Sequence, residues 1–580
     1  MASSLLARLE AARLFDPAVH VPVHMVPLVN ARILWLNRRA MREDPQFAQA
    51  GDEVAYEQHL LKSCAFSIAD NTQDRTTSQE APTAVADRYG GIGIGRNGGS
   101  GRAVVVNGYQ VKGIGRTPLA SVLADPAHTS GRSYLEECVR ETVFSELVDA
   151  EFPFGAVPTL AIVETGLFQT WHSDNGAKPE RQCLLVRPAF MRPAHFTRAT
   201  EHHDNDPKEG FRDAMRVAHM LRTSADLFGQ DRLIGEWRQL WLNWAEQLAY
   251  AYVHRLNLSG NSESNIAWDG KLLDFGAMTA LPSWARINTI QGGPPSGMDM
   301  LYLMEAFKAI MPFFARHVNA DLASEKQITA TLAQVTDRYR RTVVREVLRT
   351  VGLTRTQCSQ LLRTSLANRI ASAVNRLVTH FAREQFAIFD GTPEPRIRWD
   401  LDQFWSDRPP AHARELQTIL REAIVLGLLA DSGTDVTRKN LAELSEFRQR
   451  TRHELFRDRI KPRLYPELDG RFPGDTLTPA MVARVIDEWV TRNRRDCKVE
   501  PSAAVPIGFS RSSRSGHALF RCANTNQLFG IEEWCSSSEA PNPSVRVPVT
   551  EIGEEYVQFA DDKTAAQVTA YSSTHLPYKP

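Results

Sequence analysis

The 580-residue chain is 43% hydrophobic, and its 68 Lys plus Arg balance 68 Asp plus Glu. It can bury a large core, and it presents no net field that would recruit nucleic acid or an anionic membrane. The apolar run Ala423 to Ala430 is far shorter than a bilayer span, and the first residues are interrupted by charges, so a cytoplasmic protein without nucleic-acid or membrane partners is expected. The seven cysteines are scattered, odd in number and without CxxC spacing, which points to reduced thiols rather than a disulfide framework or a zinc site.

In chain order, PVHMVPLVNARILWLNRR reads as an irregular apolar stretch, and residues 1–86 as an N-terminal extension packing on the core. Positions 88–115, RYGGIGIGRNGGSGRAVVVNGYQVKGIG, follow. Glycines let backbone N–H groups approach a phosphate closely, although a glycine-rich surface loop has the same look. Ala103 to Val106 reads as a strand, Asn107-Gly108 as a hairpin turn, and Tyr109 to Lys112 as the returning strand. A lysine on a strand beside such a hairpin is how kinase-like folds bring an ammonium to nucleotide phosphates.

The spacing of Leu135, Val139, Val143, Phe144 and Leu147 predicts a helix from Tyr134 to Ala150, with Glu137, Glu141 and Ser145 on adjacent turns. Taken alone, this is an ordinary amphipathic helix with solvated carboxylates. Further on, SNIAWDGKLLDFGAM (264–278) reads as a hairpin with a type I′ turn at Asp269-Gly270. It would bring Asn265 and Asp274 to one end, where they either cap turns or share a Mg²⁺ ion whose remaining ligands are phosphate oxygens and water.

The remainder reads as helical. Ile328, Leu332, Val335, Tyr339, Val343 and Val347 mark a helix over Glu325 to Thr350, and Thr478-Pro479 opens another with Val482, Val485 and Trp489 on one face. The RNRRD cluster (492–496) suits a helix terminus. From about Pro501 the chain turns Ser-, Gly- and Pro-rich with short β-like runs, as in a small appended domain or a tail.

Several of these motifs together resemble the selenoprotein O family. The matching runs are RYGGIGIGRNGGSGRA, QVKGIGRTPL, GRSYLEECVRETVFSEL, VPTLAIVETG, CLLVRPAFMRPAHF, the SESN element and LLDFG, which occur in the family's order between roughly Val21 and Ile310. The resemblance implies an α+β, protein-kinase-like bilobal fold with a helical C-terminal extension. Residues 87–200 would form a nucleotide-binding N-lobe, 201–320 a C-lobe with the metal site, 321–500 the helical region and 501–580 the appended part.

It also implies an adenylyltransferase that binds ATP in a flipped orientation and moves AMP to Ser, Thr or Tyr hydroxyls of a protein. On that resemblance Gly99, Gly101, Arg102 and Gly131 contact nucleotide, Lys112 pairs with Glu141, Arg187 and Arg192 hold the γ-phosphate, and Asn265 with Asp274 bind Mg²⁺, a site that would also accept Mn²⁺. Bidentate guanidinium groups suit that task, because pyrophosphate leaves when the α-phosphorus is attacked.

The chain departs from the family pattern in three places. Ser264 occupies the position of the family's general base, leaving Glu263 as the nearest substitute; Ser130 replaces an aspartate; and the two arginines are five apart rather than seven. Without a base, two alternatives gain weight: adenylylation of a peptide carboxylate in a microcin-like maturation pathway, or a nucleotide-binding scaffold without catalysis.

Overall fold

The computed structural model describes residues 14–68, 84–91, 94–121, 130–173, 176–202, 208–259, 262–289, 295–388, 399–429, 438–471 and 477–496, and the backbone of three strands between 504 and 534. The chain is a mixed α+β protein built on a seven-stranded antiparallel sheet. Its strands are β1 (Val21–Val23), β3 (Arg32–Leu36), β5 (Ala84–Arg88), β6 (Gly99–Val106), β7 (Tyr109–Lys112), β8 (Ala161–Ser173) and β9 (Gly176–Pro188), in the order β1-β5-β6-β7-β9-β8-β3. The stretch that reads as irregular in the sequence therefore supplies both edges of the sheet, β1 and β3. A separate pair, β2 (Met25–Pro27) and β4 (Phe66–Ile68), flanks it.

Side chains alternate across the sheet, and each face has its own cover. On one face Val104, Val106, Val111 and Val186 pack with Tyr56 and Leu60 of the helix Glu53–Cys64. On the other, Val105 and Leu185 join the apolar face of the helix Leu135–Glu151, where Leu135, Val139, Val143, Phe144 and Leu147 are all buried. The 3.6-residue period of the sequence thus selects the buried stripe as expected.

The same core continues into the helix Gln230–Val253. Its Trp237, Trp241 and Trp244 are buried among Phe307 and Phe314 of the helix Asp299–His317. Glu325–Thr350 forms one helix, and a second apolar cluster joins it to the helices Ala367–Phe381 and Arg414–Val425. Near the end of the described core, Thr478 caps the helix Pro479–Asn493 by accepting from the Met481 N–H, and Val482, Val485 and Trp489 are fully buried. Arg32 of β3 donates to the Leu477 carbonyl, tying this C-terminal helix back to the edge of the sheet. The strands Ala504–Arg511, Ser515–Cys522 and Leu528–Trp534 form an antiparallel meander. Among the described residues, no helix is long and apolar enough to cross a membrane.

Candidate functional site

The β6–β7 hairpin turns through Asn107 (φ 51°) and Gly108 (φ 83°), and both left-handed residues are what a type I′ turn requires. The turn sets the register that leaves Gln110 and Lys112 on the sheet face toward the helix Leu135–Glu151. There Lys112 Nζ donates to Glu141 Oε2 at 2.6 Å, and Arg187, on the neighbouring strand, donates to Glu141 Oε1. Burial pushes the Glu141 carboxyl up, but Arg187 and Lys112 outweigh it and hold it below its ordinary range.

Asp274 approaches the same ammonium, with Oδ1 3.3 Å from Lys112 Nζ. Its side chain is 46% exposed. Lys112 above all, with Arg102 and Arg187 behind it, holds Asp274 well below the usual carboxylate range. Asp274 also stands in the left-handed region at φ 60°, which an L-residue adopts at some strain.

The hairpin of the sequence reading is present: Ile266 pairs with Leu272, and the Leu273 N–H donates to the Asn265 carbonyl. Its turn differs from expectation. Of Asp269 and Gly270 only Gly270 is left-handed (φ 90°), and the Ala267 carbonyl accepts from the Gly270 N–H while the Ala267 N–H donates to the Lys271 carbonyl. This three-residue loop ends in a left-handed glycine rather than forming a two-residue type I′ turn, because the extra residue lets Asp269 keep a negative φ. Asn265 and Asp274 line one small pocket with Ser262 and Phe275. Two oxygen donors, one of them held ionised, fit a hard divalent cation.

The remaining predicted residues are distributed less simply. Arg102 is paired with Glu137 at 2.7 Å, beside the Lys112 cluster. Gly99 and Gly101 lack side chains because the chain packs on itself there. A β-carbon on Gly99 would stand 2.4 Å from the Asp87 carbonyl oxygen, and one on Gly101 3.0 Å from Ala120 Cβ. Gly131 (φ 66°) crosses Gly115 so closely that a β-carbon would lie 2.1 Å from its carbonyl carbon.

The two arginines expected to hold a γ-phosphate are instead committed to carboxylates. Arg187 serves Glu141, and Arg192, 3% exposed, pairs with Asp87, donates to the Ser264 carbonyl at 2.7 Å and lies over the Tyr89 ring. Desolvation favours this, since a buried guanidinium left without a counter-charge is costly.

Glu263 is not beside Asn265 and Asp274. It is fully buried, its Oε1 2.3 Å from where a Gly91 β-carbon would stand, and it lines a separate cavity of about 400 Å³ with Arg198, Glu201 and Phe313. Ser264 Oγ hydrogen-bonds Ser262 Oγ at 2.6 Å and faces Asn265 Oδ1 at 3.4 Å.

Sequence reasoning missed Asp87 and His195. Asp87 collects Arg192, Gln110 Nε2 at 2.6 Å and His195 Nε2 at 2.9 Å. Burial would raise its carboxyl, and Arg192 and His195 together hold it well below the ordinary range. The Arg192 N–H donates to His195 Nδ1, so Nε2 carries the proton toward Asp87, and burial drives the imidazole pKa down to about 4. The only signals in the sequence were an aspartate just before the glycine-rich run and the PAHF segment after Arg192.

His254, Glu346 and Asp496 bring ligand-type atoms within 4.8 Å of one another. Arg345 takes Glu346 at 2.8 Å and Arg349 takes both oxygens of Asp496 at 2.6 and 2.7 Å. The cluster is therefore a buried ion-pair network holding the Glu325–Thr350 helix to the C-terminal segment, not a cation site.

No known family's sequence profile matches the chain, and no curated protein matches it.

Proposed function

We propose that the cleft binds ATP with Mg²⁺ or Mn²⁺ and that the protein transfers AMP from ATP to a hydroxyl of a protein. The seven-stranded sheet and the helix Leu135–Glu151 would serve as the N-lobe of a kinase-like bilobal fold. The helices from 208 onward, with the Asn265–Asp274 hairpin, would serve as its C-lobe. The observation that carries the proposal is Lys112, whose ammonium joins Glu141 of the sheet-side helix to the half-exposed Asp274.

Lys112 supplies positive charge to phosphate oxygens, and Glu141 keeps its ammonium aimed. Asn265 and Asp274 would hold the cation, which neutralises phosphate charge when bound. The acceptor oxygen attacks the α-phosphorus, the bond to the bridging β-oxygen breaks, pyrophosphate departs and the hydroxyl proton passes to solvent.

A second reading, adenylylation of a peptide carboxylate, is favoured by one observation: Glu263 is buried against Gly91, and the position next to Asn265 holds a serine. A carboxylate is already an anionic nucleophile and needs no base.

The test uses ATP labelled separately on the α- and γ-phosphates, with wild-type protein and Asp274→Ala. Expected is α-label on a protein acceptor and pyrophosphate release, both absent in the variant. Pyrophosphate exchange only with a carboxylate peptide added selects the second reading. Transfer of γ-label would overturn both in favour of phosphoryl transfer. Bound ATP with no label moved would leave a nucleotide-binding scaffold.

A further inference from the structure

Three of the guanidinium groups in the cleft region are paired with carboxylates: Arg102 with Glu137, Arg187 with Glu141 and Arg192 with Asp87. Lys112 is shared between Glu141 and Asp274. A polyphosphate entering there would have to pull the three guanidinium groups from carboxylates they already hold. Arg140 is different. It precedes Glu141 on the helix Leu135–Glu151, is half-buried, forms no hydrogen bond or ion pair among the described residues, and has its Nε shielded from solvent without an acceptor.

Its guanidinium lies near Gly276, two residues after Asp274. A β-carbon on Gly276 would stand 3.8 Å from Arg140 Nη2 and 3.8 Å from Asp274 Oδ1. A guanidinium and a metal-type carboxylate therefore flank the same bare backbone, within two contact distances of each other and without touching. Direct contact would have neutralised both. Both groups lie within reach of one anion: the guanidinium directly, and Asp274 through a cation it would hold.

We infer that Arg140 is the polyphosphate-binding arginine of this protein, taking the β- and γ-phosphates of the nucleotide beside Asp274, with Gly276 kept bare to seat them. The inference rests on the ATP reading above and assigns the role expected of Arg187 and Arg192 to a residue whose donors are available. It also gives the leaving pyrophosphate its counter-charge.

The test is binding, measured by calorimetry on the full chain with Mg²⁺ and, in turn, ATP, AMP and inorganic tripolyphosphate. Arg140→Ala should lose about 10- to 100-fold in affinity for ATP and tripolyphosphate, the size of one charge-assisted hydrogen bond, with AMP changed less than about 2-fold. Gly276→Ala keeps every charge and meets only ordinary contacts. It should fold like wild type and still lose affinity for ATP and tripolyphosphate.

An ATP-to-AMP affinity ratio unchanged in both variants would overturn the assignment. Wild-type binding of tripolyphosphate without preference for ATP, lost in Arg140→Ala, would keep Arg140 and discard the adenylyl reading. Wild-type protein that binds neither ATP nor tripolyphosphate would discard both.

Discussion

The Lys112 ammonium stands 3.3 Å from Asp274 Oδ1, and Asp274 meets it from a left-handed backbone conformation. Strain of about 1 kcal/mol is typical of an L-residue held there. An ion pair with a half-exposed carboxylate contributes ~1 kcal/mol or less, screened by solvent. Asp274→Gly should therefore unfold within about 1 kcal/mol of wild type while losing Mg²⁺-dependent nucleotide binding. Denaturant midpoints and calorimetry check the two halves, and a variant that binds Mg²⁺–ATP normally would remove Asp274 from the site.

The two buried arginines differ in what they leave behind. Arg187→Met leaves Glu141 with Lys112, whereas Arg192→Met takes from Asp87 its one guanidinium and frees the Ser264 carbonyl. Breaking a buried pair typically costs about 3–5 kcal/mol. Arg192→Met should fall near the lower end of that range, because Gln110 and His195 still bond Asp87, and Arg187→Met should cost less. Urea midpoints in the reverse order would contradict this account of the burial.

His195 makes stability depend on pH with a definite sign. Its pKa is near 4 in the folded chain and about 6.5 when unfolded. Between these values the unfolded state binds the extra proton, so stability falls as pH drops from about 6.5 toward 4, by at most ~1.4 kcal/mol per pH unit for this group. His195→Gln should flatten that part of the stability curve. The Asp87 contribution, from a depressed carboxyl, is lost only below the ordinary carboxylate range.

Gly131→Ala places a methyl 2.1 Å from the Gly115 carbonyl carbon at a positive φ. Neither strand of the crossing can yield cheaply, since both are backbone. A loss of roughly 2 kcal/mol or more is expected, with reduced soluble yield as the first sign.

Glu263→Gln separates the catalytic options. A general base contributes about 10²-fold or more, and Glu263 is turned toward Gly91 and away from the Asn265–Asp274 pocket. AMP transfer should change less than ~10-fold. A drop of about 10²-fold would restore Glu263 as the base.

Local rules were enough for much of this protein. Asn107-Gly108 specified its turn because few other pairs accept two positive φ values. The stripe on Leu135–Glu151 specified its buried face, and Thr478-Pro479 its helix start, because periodicity and caps act over a single turn or two. Asn265 next to Asp274 was also legible, being set by one hairpin, whereas the choice of Glu141 as the partner of Lys112 came from the family resemblance.

The partners of the arginines were not legible. Arg192 meets Asp87 across 105 residues, and Arg187 meets Glu141 across 46. Which cation is neutralised and which, like Arg140, is left open depends on burial, and burial is decided only when distant strands and helices close on one another. The sequence by itself determined where the charges stand along each element; the tertiary structure decided which of them find a partner inside the protein, because desolvation makes a buried charge without one costly and only the closing of distant elements brings such partners together.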